Sequence, residues 1–379
     1  MGRYASGVSQ HPVASYAVGE AAGQVLDALG GEDIDLVVCF ASAHFVGAFD
    51  DMAPALQNLL TPRVLLGGTA VAVIGDAREI EDSPAFTVFA GSMPGARLTP
   101  VELHVTETPD GAAIVGWPEH DDSPDTLLLF ADPFTFPVDG FLRRLNDEQP
   151  GLRVIGGLAS AAHGPGGNRL VLGDRVLQDG AVGVFLDGVD VRIVVSQGCR
   201  PIGQPFTVTS AQQNLVEHLA GQPAIERLRD LAVAASEEDR LLLQRGLHIG
   251  LVVDEHKVEF ERGDFLIRNV LGADQQSGAI AVADHVRIGQ TVQFQVRDAA
   301  AADEDLRALL AGEQAKGALV FTCNGRGRHM FGTPDHDAGV LAQLLGPIPA
   351  AGMFCAGEIG PVGGQSFLHG FTASVALFA

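Results

Sequence analysis

The sequence predicts an α/β protein with some α+β character. Mixed parallel and antiparallel sheets, covering helices and repeated strand–helix–strand units are arranged as two domains. Three observations carry this. An apolar strand, a helix and a second strand ending in small residues recur three times. Short strands joined by Gly-Asp or Asp-Gly turns lie between them. Residues 211–245 then turn helical before a strand-rich stretch.

The first unit runs from a buried strand at 35–42 through a helix at 52–60 to a strand at 63–70 that ends Gly67-Gly68-Thr69-Ala70. The same order returns at 125–132, 137–145 and 153–160, with Gly156-Gly157 in the second strand. It returns again at 317–324, 337–345 and 351–357. A helix between two strands of one sheet imposes a parallel pairing. Between the units, 170–172 and 175–177 flank Gly173-Asp174 as a tight hairpin, and 181–186 and 189–195 flank Asp187-Gly188 as a second. A short strand follows at 205–209.

Residues 213–219, 224–235 and 237–245 read as helices, with Ser236-Glu237-Glu238 as a cap. Strands follow at 247–253, 265–269, 279–282 and 291–296, then a helix at 303–314. The boundary is placed near 225, giving domains 1–225 and 226–379. Residues 338–357 carry no charge and are long enough to cross a bilayer, but Gly346-Pro347-Ile348-Pro349 divides them into helix, turn and strand.

Composition excludes some partners. Forty-seven acidic residues against 24 basic ones give a formal charge of −23 over 379 residues. That opposes phosphate-rich nucleic acid and anionic membrane surfaces, so neither is expected as a partner. The four cysteines, at 39, 199, 323 and 355, lie in apolar surroundings without Cys-x-x-Cys spacing. They read as buried reduced thiols of a cytoplasmic protein. The N-terminus has no apolar segment of signal-peptide type.

Phosphate-loop, His-Glu-x-x-His and Gly-x-Ser-x-Gly motifs are absent, and no enzymatic role is expected. The informative region is the C-terminus. From Ala338 to Ala379 the only formal charge is Glu358, set in Cys355-Ala356-Gly357-Glu358-Ile359-Gly360. A carboxylate among apolar and small residues needs a partner if buried. It fits a structural role beside Arg326 or Arg328, a pocket role holding a cationic or hydrogen-bonding ligand group, or an acid–base role. Arg326 and Arg328 follow the third unit's first strand, where ligands gather in α/β sheets, and an arginine fork can clamp a carboxylate. Pro334-Asp335-His336-Asp337 reads as a helix start capped by Asp335 or Asp337, with metal ligation as the alternative.

These residues resemble the FIST family of small-ligand-binding sensory proteins. The resemblance rests on residues 321–332, 334–337, 355–364 and 367–372 for its C-terminal domain, with 262–269 and 286–298 in front. For its N-terminal domain it rests on 35–44, 66–75 and 75–82. It implies a ligand-sensing module acting with a separate signalling partner, since two such domains occupy the chain. It implies an amino acid or related metabolite as ligand, and admits haem as a cofactor in a nitric oxide sensor, with His369, His44 or Cys355 on the iron. A scaffold and a cysteine enzyme using Cys355 with His336 or His369 are the remaining readings. The expected ligand-binding set is Glu358, Arg326, Arg328, Asn324, Cys355, His369, Gly357 and Gly360, with Arg326 or Arg328 on a ligand carboxylate and Glu358 on its ammonium.

Overall fold

The computed structural model describes residues 2–109, 111–118 and 125–379. Contacts divide the chain into two compact units. The first comprises Met1–Val195, Leu306–Leu368 and Thr372–Ala379, and the second Ser196–Asp305 with His369–Phe371. The boundary near 225 divides the chain by sequence. The compact units divide it in space, because the second interrupts the first.

The first unit repeats one strand order three times, with a strand in repeat two where the other repeats carry a helix before their second strand. Repeat one contains β1 (Arg3–Ser9), α1 (Ala14–Leu29), β2 (Leu36–Ser42), α2 (Phe49–Leu60) and β3 (Val64–Ala70). A hairpin of β4 (Val73–Gly75) and β5 (Arg78–Ile80) and a closing strand β6 (Phe86–Ser92) complete it. Repeat two contains β7 (Arg97–Thr108), β8 (Gly111–Val115), β9 (Thr126–Ala131), α3 (Val138–Glu148) and β10 (Arg153–Leu158). Its hairpin is β11 (Leu170–Leu172) with β12 (Arg175–Leu177), and its closing strand is β13 (Ala181–Asp187). Repeat three opens with β14 (Val191–Gln197).

The second unit intervenes there. It contains β15 (Cys199–Pro201), β16 (Phe206–Gln212), β17 (Leu215–Leu219), β18 (Gln222–Pro223), α4 (Ala224–Ala234) and α5 (Glu237–Arg245). It continues with β19 (Leu247–Val252), β20 (Phe265–Ala273), β21 (Ile280–Val282) and β22 (Thr291–Arg297). Repeat three resumes through α6 (Ala299–Leu310), β23 (Gly317–Cys323), α7 (Gly327–Phe331), α8 (His336–Leu345) and β24 (Ala350–Cys355). Its hairpin is β25 (Glu358–Val362) with β26 (Gln365–His369), and its closing strand is β27 (Thr372–Phe378).

The three strand–helix–strand units form as expected, with β2/β3, β9/β10 and β23/β24 each parallel. Each repeat sends its hairpin to another repeat's sheet. The orders are β1-β6-β2-β3-β11-β12, β7-β13-β9-β10-β25-β26 and β14-β27-β23-β24-β4-β5, with β8 extending the second sheet beyond β7. The exchange is cyclic and ties the repeats into one core. At its centre Phe40, Phe130 and Phe321, from corresponding positions of β2, β9 and β23, meet ring to ring at 5.2, 6.1 and 5.6 Å. Gly67, Gly156 and Gly352 lie one position earlier in register. A Cβ there would fall 1.8, 1.9 and 2.0 Å from the carbonyl oxygens of Cys39, Leu129 and Val320, so no side chain fits.

In the second unit the order β22-β16-β17-β21-β20-β19 closes on itself, because β19 also pairs with β22. Val208, Val216, Ile249, Leu251, Ile280, Val292 and Phe294 form its core. Ser236 Oγ caps α5 by accepting the Asp239 N–H at 3.0 Å, as expected.

Three expectations are corrected. Residues 215–219 are strand, not helix. Gln213 takes a left-handed turn with φ of 54°, and Val216 and Leu219 then face the core between two neighbouring strands. β13 and β14 are not a hairpin, because one joins the second sheet and the other the third. The helix expected at 303–314 starts earlier, at Ala299, where Asp298 Oδ1 accepts the N–H groups of Ala300 and Ala301.

Residues 338–357 form helix, turn and strand. Among the described residues no helix is long and apolar enough to cross a membrane.

Candidate functional site

The repeats agree in strand order and disagree in charge. Opposite the central phenylalanines, the hairpin strands place Val73, Leu170 and Glu358 at corresponding positions, paired with Met353, Gly68 and Gly157. Two are apolar. The third is a carboxyl group with no exposed surface. Glu358 Oε2 accepts the Thr372 N–H at 3.1 Å and the Thr372 hydroxyl at 2.8 Å. Its Oε1 meets no N–H or O–H donor. Burial pushes the acid up to about 8, against the lowering effects of Thr372, the Arg326 charge and the Cys323 thiol. Near neutral pH it is mostly protonated.

Arg326 approaches from the loop after β23. It is 1% exposed, and it gives Nε and Nη2 to the two oxygens of Asp337 at 2.7 and 2.8 Å. Thr322 donates to Asp337 Oδ2 at 2.6 Å, and His336 Nδ1 lies 2.9 Å from Oδ1. Burial would raise the Asp337 carboxyl, but Arg326 outweighs it and holds the acid well below the usual range. The His336 ring stacks on Phe331, over which the Arg326 guanidinium also sits. Arg326 Nη1 is buried without a partner.

The expected cap of α8 is corrected. Neither Asp335 nor Asp337 caps it with its own side chain. The cap comes from repeat one, where Glu79 Oε1 accepts the N–H groups of Asp337 and Ala338 at 2.7 and 3.0 Å. Asp335 Oδ1 in turn accepts the Glu79 N–H at 2.7 Å. Burial and the neighbouring Asp337 charge push Glu79 up to about 7. The hairpin also steadies α7, where Glu81 accepts the Arg328 N–H at 3.0 Å. Asp82 pairs with the Arg328 guanidinium at 3.2 Å.

The expected residues do not all meet. Glu358 and Arg326 are brought close enough for each charge to act on the other. A two-pronged arginine clamp on a ligand is ruled out at Arg326, because that fork is already spent on Asp337. Only Nη1 remains. Arg328 is exposed and paired outward. Asn324 is exposed and gives its N–H to the Cys355 carbonyl at 2.9 Å. The Gly357 carbonyl accepts the Leu158 N–H at 2.9 Å, and a Cβ at Gly360 would meet Val195 and Ser374. His369 is buried and belongs to the second compact unit.

Cys355 is fully buried, and its thiol is pushed far up by burial and by Glu358, the opposite of an activated nucleophile. Thr322, Thr372 and Glu79 were not singled out as site residues by the sequence, and Asp337 only as a helix cap or metal ligand, although all four lie inside stretches of noted resemblance.

A surface cavity of about 490 Å³ is lined by residues including Ser6, Asp76, Leu341 and Ile348, with none of the expected set. Its one carboxylate, Asp76, already accepts from Ser6. Chemically, the stronger candidate is the Glu358–Arg326 cluster. It holds a buried guanidinium edge and a buried carboxyl oxygen, both without partners, at the C-terminal end of a parallel strand pair. Such a pair can hold a small ligand carrying an anionic and a cationic group.

The chain matches the FIST N domain over residues 35–222 and the FIST C domain over residues 224–361. It is 45% identical over 383 residues to an uncharacterized protein of Mycobacterium bovis, covering 99% of this chain and 98% of the relative. An uncharacterized protein of Mycobacterium tuberculosis (strain CDC 1551 / Oshkosh) is equally similar over the same shares. Another from M. tuberculosis (strain H37Rv) is 44% identical over 384 residues, 99% of each chain. The junction between the two domain matches falls at Pro223, the last residue of β18, within the second unit.

Proposed function

Since this chain belongs to the FIST family, whose domains are generally small-ligand sensory domains, we propose that it senses an amino acid or related metabolite and signals through a separate protein partner. The ligand carboxylate takes Arg326 Nη1, and the ligand ammonium takes Glu358 Oε1. The observation that carries this reading is the pair of buried, partnerless polar atoms on these two side chains. Leaving such groups unmet costs about 1–3 kcal/mol each, more for charged ones, so a ligand that meets them recovers that cost on binding.

The ligand binds as a charge pair only after Glu358 gives up its proton, so binding releases a proton below pH 8. Uptake then drives a change in the α7–α8 segment, where Arg326, Asp337 and the Glu79 cap are linked. A thermal-shift series with the twenty amino acids tests the reading. A ligand at a hundred times its Kd stabilises by about 2.7 kcal/mol. That is a rise of roughly 5–11 °C at about 2–4 °C per kcal/mol. No rise with any amino acid would overturn it.

A further inference from the structure

The surface cavity of about 490 Å³ in the first unit takes no part in the reading above. Its walls come from β1, the end of α1, the turn between β4 and β5, and the end of α8 with the loop into β24. Leu341, Pro347, Ile348 and Pro349 make them apolar. Among the described residues that line it, Asp76 is the one charged side chain and Ser6 the one other polar side chain.

The cavity is negative without a counter-ion. Asp76 is exposed, and its Oδ1 accepts the Ser6 hydroxyl. Among the described residues no donor reaches Oδ2 and no base pairs with this carboxylate. The backbone fixes it in place, since Asp76 takes the left-handed turn with φ of 53° and gives its N–H to the Ala350 carbonyl at 2.8 Å. The helix α8 ends at the same cavity with no basic residue in its last turn, so its C-terminal carbonyls add to the negative potential. Pro347 and Pro349 bring no N–H to the loop that follows. The bases on the flanking strands are engaged elsewhere, Arg3 with Glu32 and the Ala28 carbonyl and Arg78 with Gln10.

We propose that this cavity is a second binding site, for a small aliphatic primary amine. The ligand ammonium donates to Asp76 Oδ2, and its methylene chain lies against Leu341, Ile348 and the two prolines, as a lysine stem covers apolar surface. Small-ligand cavities hold roughly 300–1,000 Å³, and this one lies within that range. The formal charge of −23 draws cations toward the chain. A carboxylate is repelled by Asp76 and the helix end, so an amino acid fits poorly here, and the site is distinct from the one at Glu358 and Arg326.

The test uses the full chain with ¹³C-labelled isoleucine δ1 methyl groups, and n-hexylamine, n-hexanol and hexanoate as probes of one chain length. We expect hexylamine to move the Ile348 methyl resonance saturably while Ile359, beside Glu358, stays unmoved. It should bind about fivefold more tightly than hexanol, the worth of one exposed ion pair, and hexanoate should not bind. Asp76→Asn keeps the turn, because asparagine also tolerates the left-handed region, and should lower hexylamine to the affinity of hexanol. Equal affinities for the three probes, undiminished hexylamine binding by Asp76→Asn, or an Ile348 resonance that moves with none of them would overturn the proposal. Should Asp76→Asn fail to fold, Ala77→Lys, which supplies a cation from the chain itself, gives the same readout.

Discussion

Glu79 Oε1 accepts the Asp337 N–H at 2.7 Å, so a carboxyl group in the first repeat's hairpin caps the helix that carries the third repeat's buried acid. The cyclic exchange of hairpins makes this possible, since β4 and β5 lie beside β24 rather than in their own sheet. Glu79→Ala leaves two helix-start N–H groups without an acceptor. We expect it to cost about 1–2 kcal/mol by chemical denaturation, as for a lost N-cap, and Glu79→Gln to cost less because it keeps an acceptor oxygen. Equal losses in the two variants would contradict the capping role.

The pH dependence of stability has a definite sign. Glu358 and Glu79 hold their protons to about 8 and about 7 in the folded chain. In the unfolded chain they release them near 4.3. The folded state therefore binds more protons in this window, and stability falls as pH rises from about 4.5 to 8. Each group contributes a slope of up to about 1.4 kcal/mol per pH unit. Asp337 is depressed, so its contribution is present throughout this window and is lost only in stronger acid. Glu358→Gln mimics the protonated acid. It should match the parent at pH 5 and exceed it at pH 9 by an amount on the order of a few kcal/mol. Parallel stability curves for the two proteins would refute this.

The Arg326–Asp337 pair is fully buried and joined by two hydrogen bonds. Asp337→Ala strands a guanidinium in the interior and should cost about 3–5 kcal/mol. Replacing both partners, Arg326→Met with Asp337→Leu, should cost less than the sum of the single changes. Additive losses in urea unfolding would show that the two side chains do not act as a unit.

Two glycines separate backbone contact from helix propensity. Gly156→Ala puts a methyl group 1.9 Å from the Leu129 carbonyl oxygen, which must force β9 and β10 apart. Gly19→Ala lies in the exposed interior of α1 with nothing within 4 Å. The first should lower the melting temperature sharply. The second should raise stability by roughly 0.5–1 kcal/mol. A mild effect at Gly156 would contradict the close approach of the strands.

Legibility in the sequence followed range along the chain. The three strand–helix–strand units were readable because their apolar runs and helices are local, and the Ser236 cap was readable for the same reason. The hairpin at 170–177 was readable as a hairpin, through Gly173 with φ of 63°, but not as a partner of β3, because that pairing leaves no local mark. Glu358 stood out as a lone charge, and its burial followed. Its Thr372 partner and the link from Glu79 to Asp337 did not stand out, since these depend on how distant segments fold together. The return of 369–371 to the second compact unit was hidden for that reason too.

The central claim is that Glu358 and Arg326 bind an amino acid with release of a proton. Calorimetric titration of the twenty amino acids at pH 6.5 tests it most directly, using two buffers of different ionisation enthalpy on the parent chain and on Glu358→Gln. At least one amino acid should bind the parent with close to one proton released, and none should bind Glu358→Gln with comparable affinity. Binding without proton release, binding undiminished in Glu358→Gln, or no binding at all would contradict the claim.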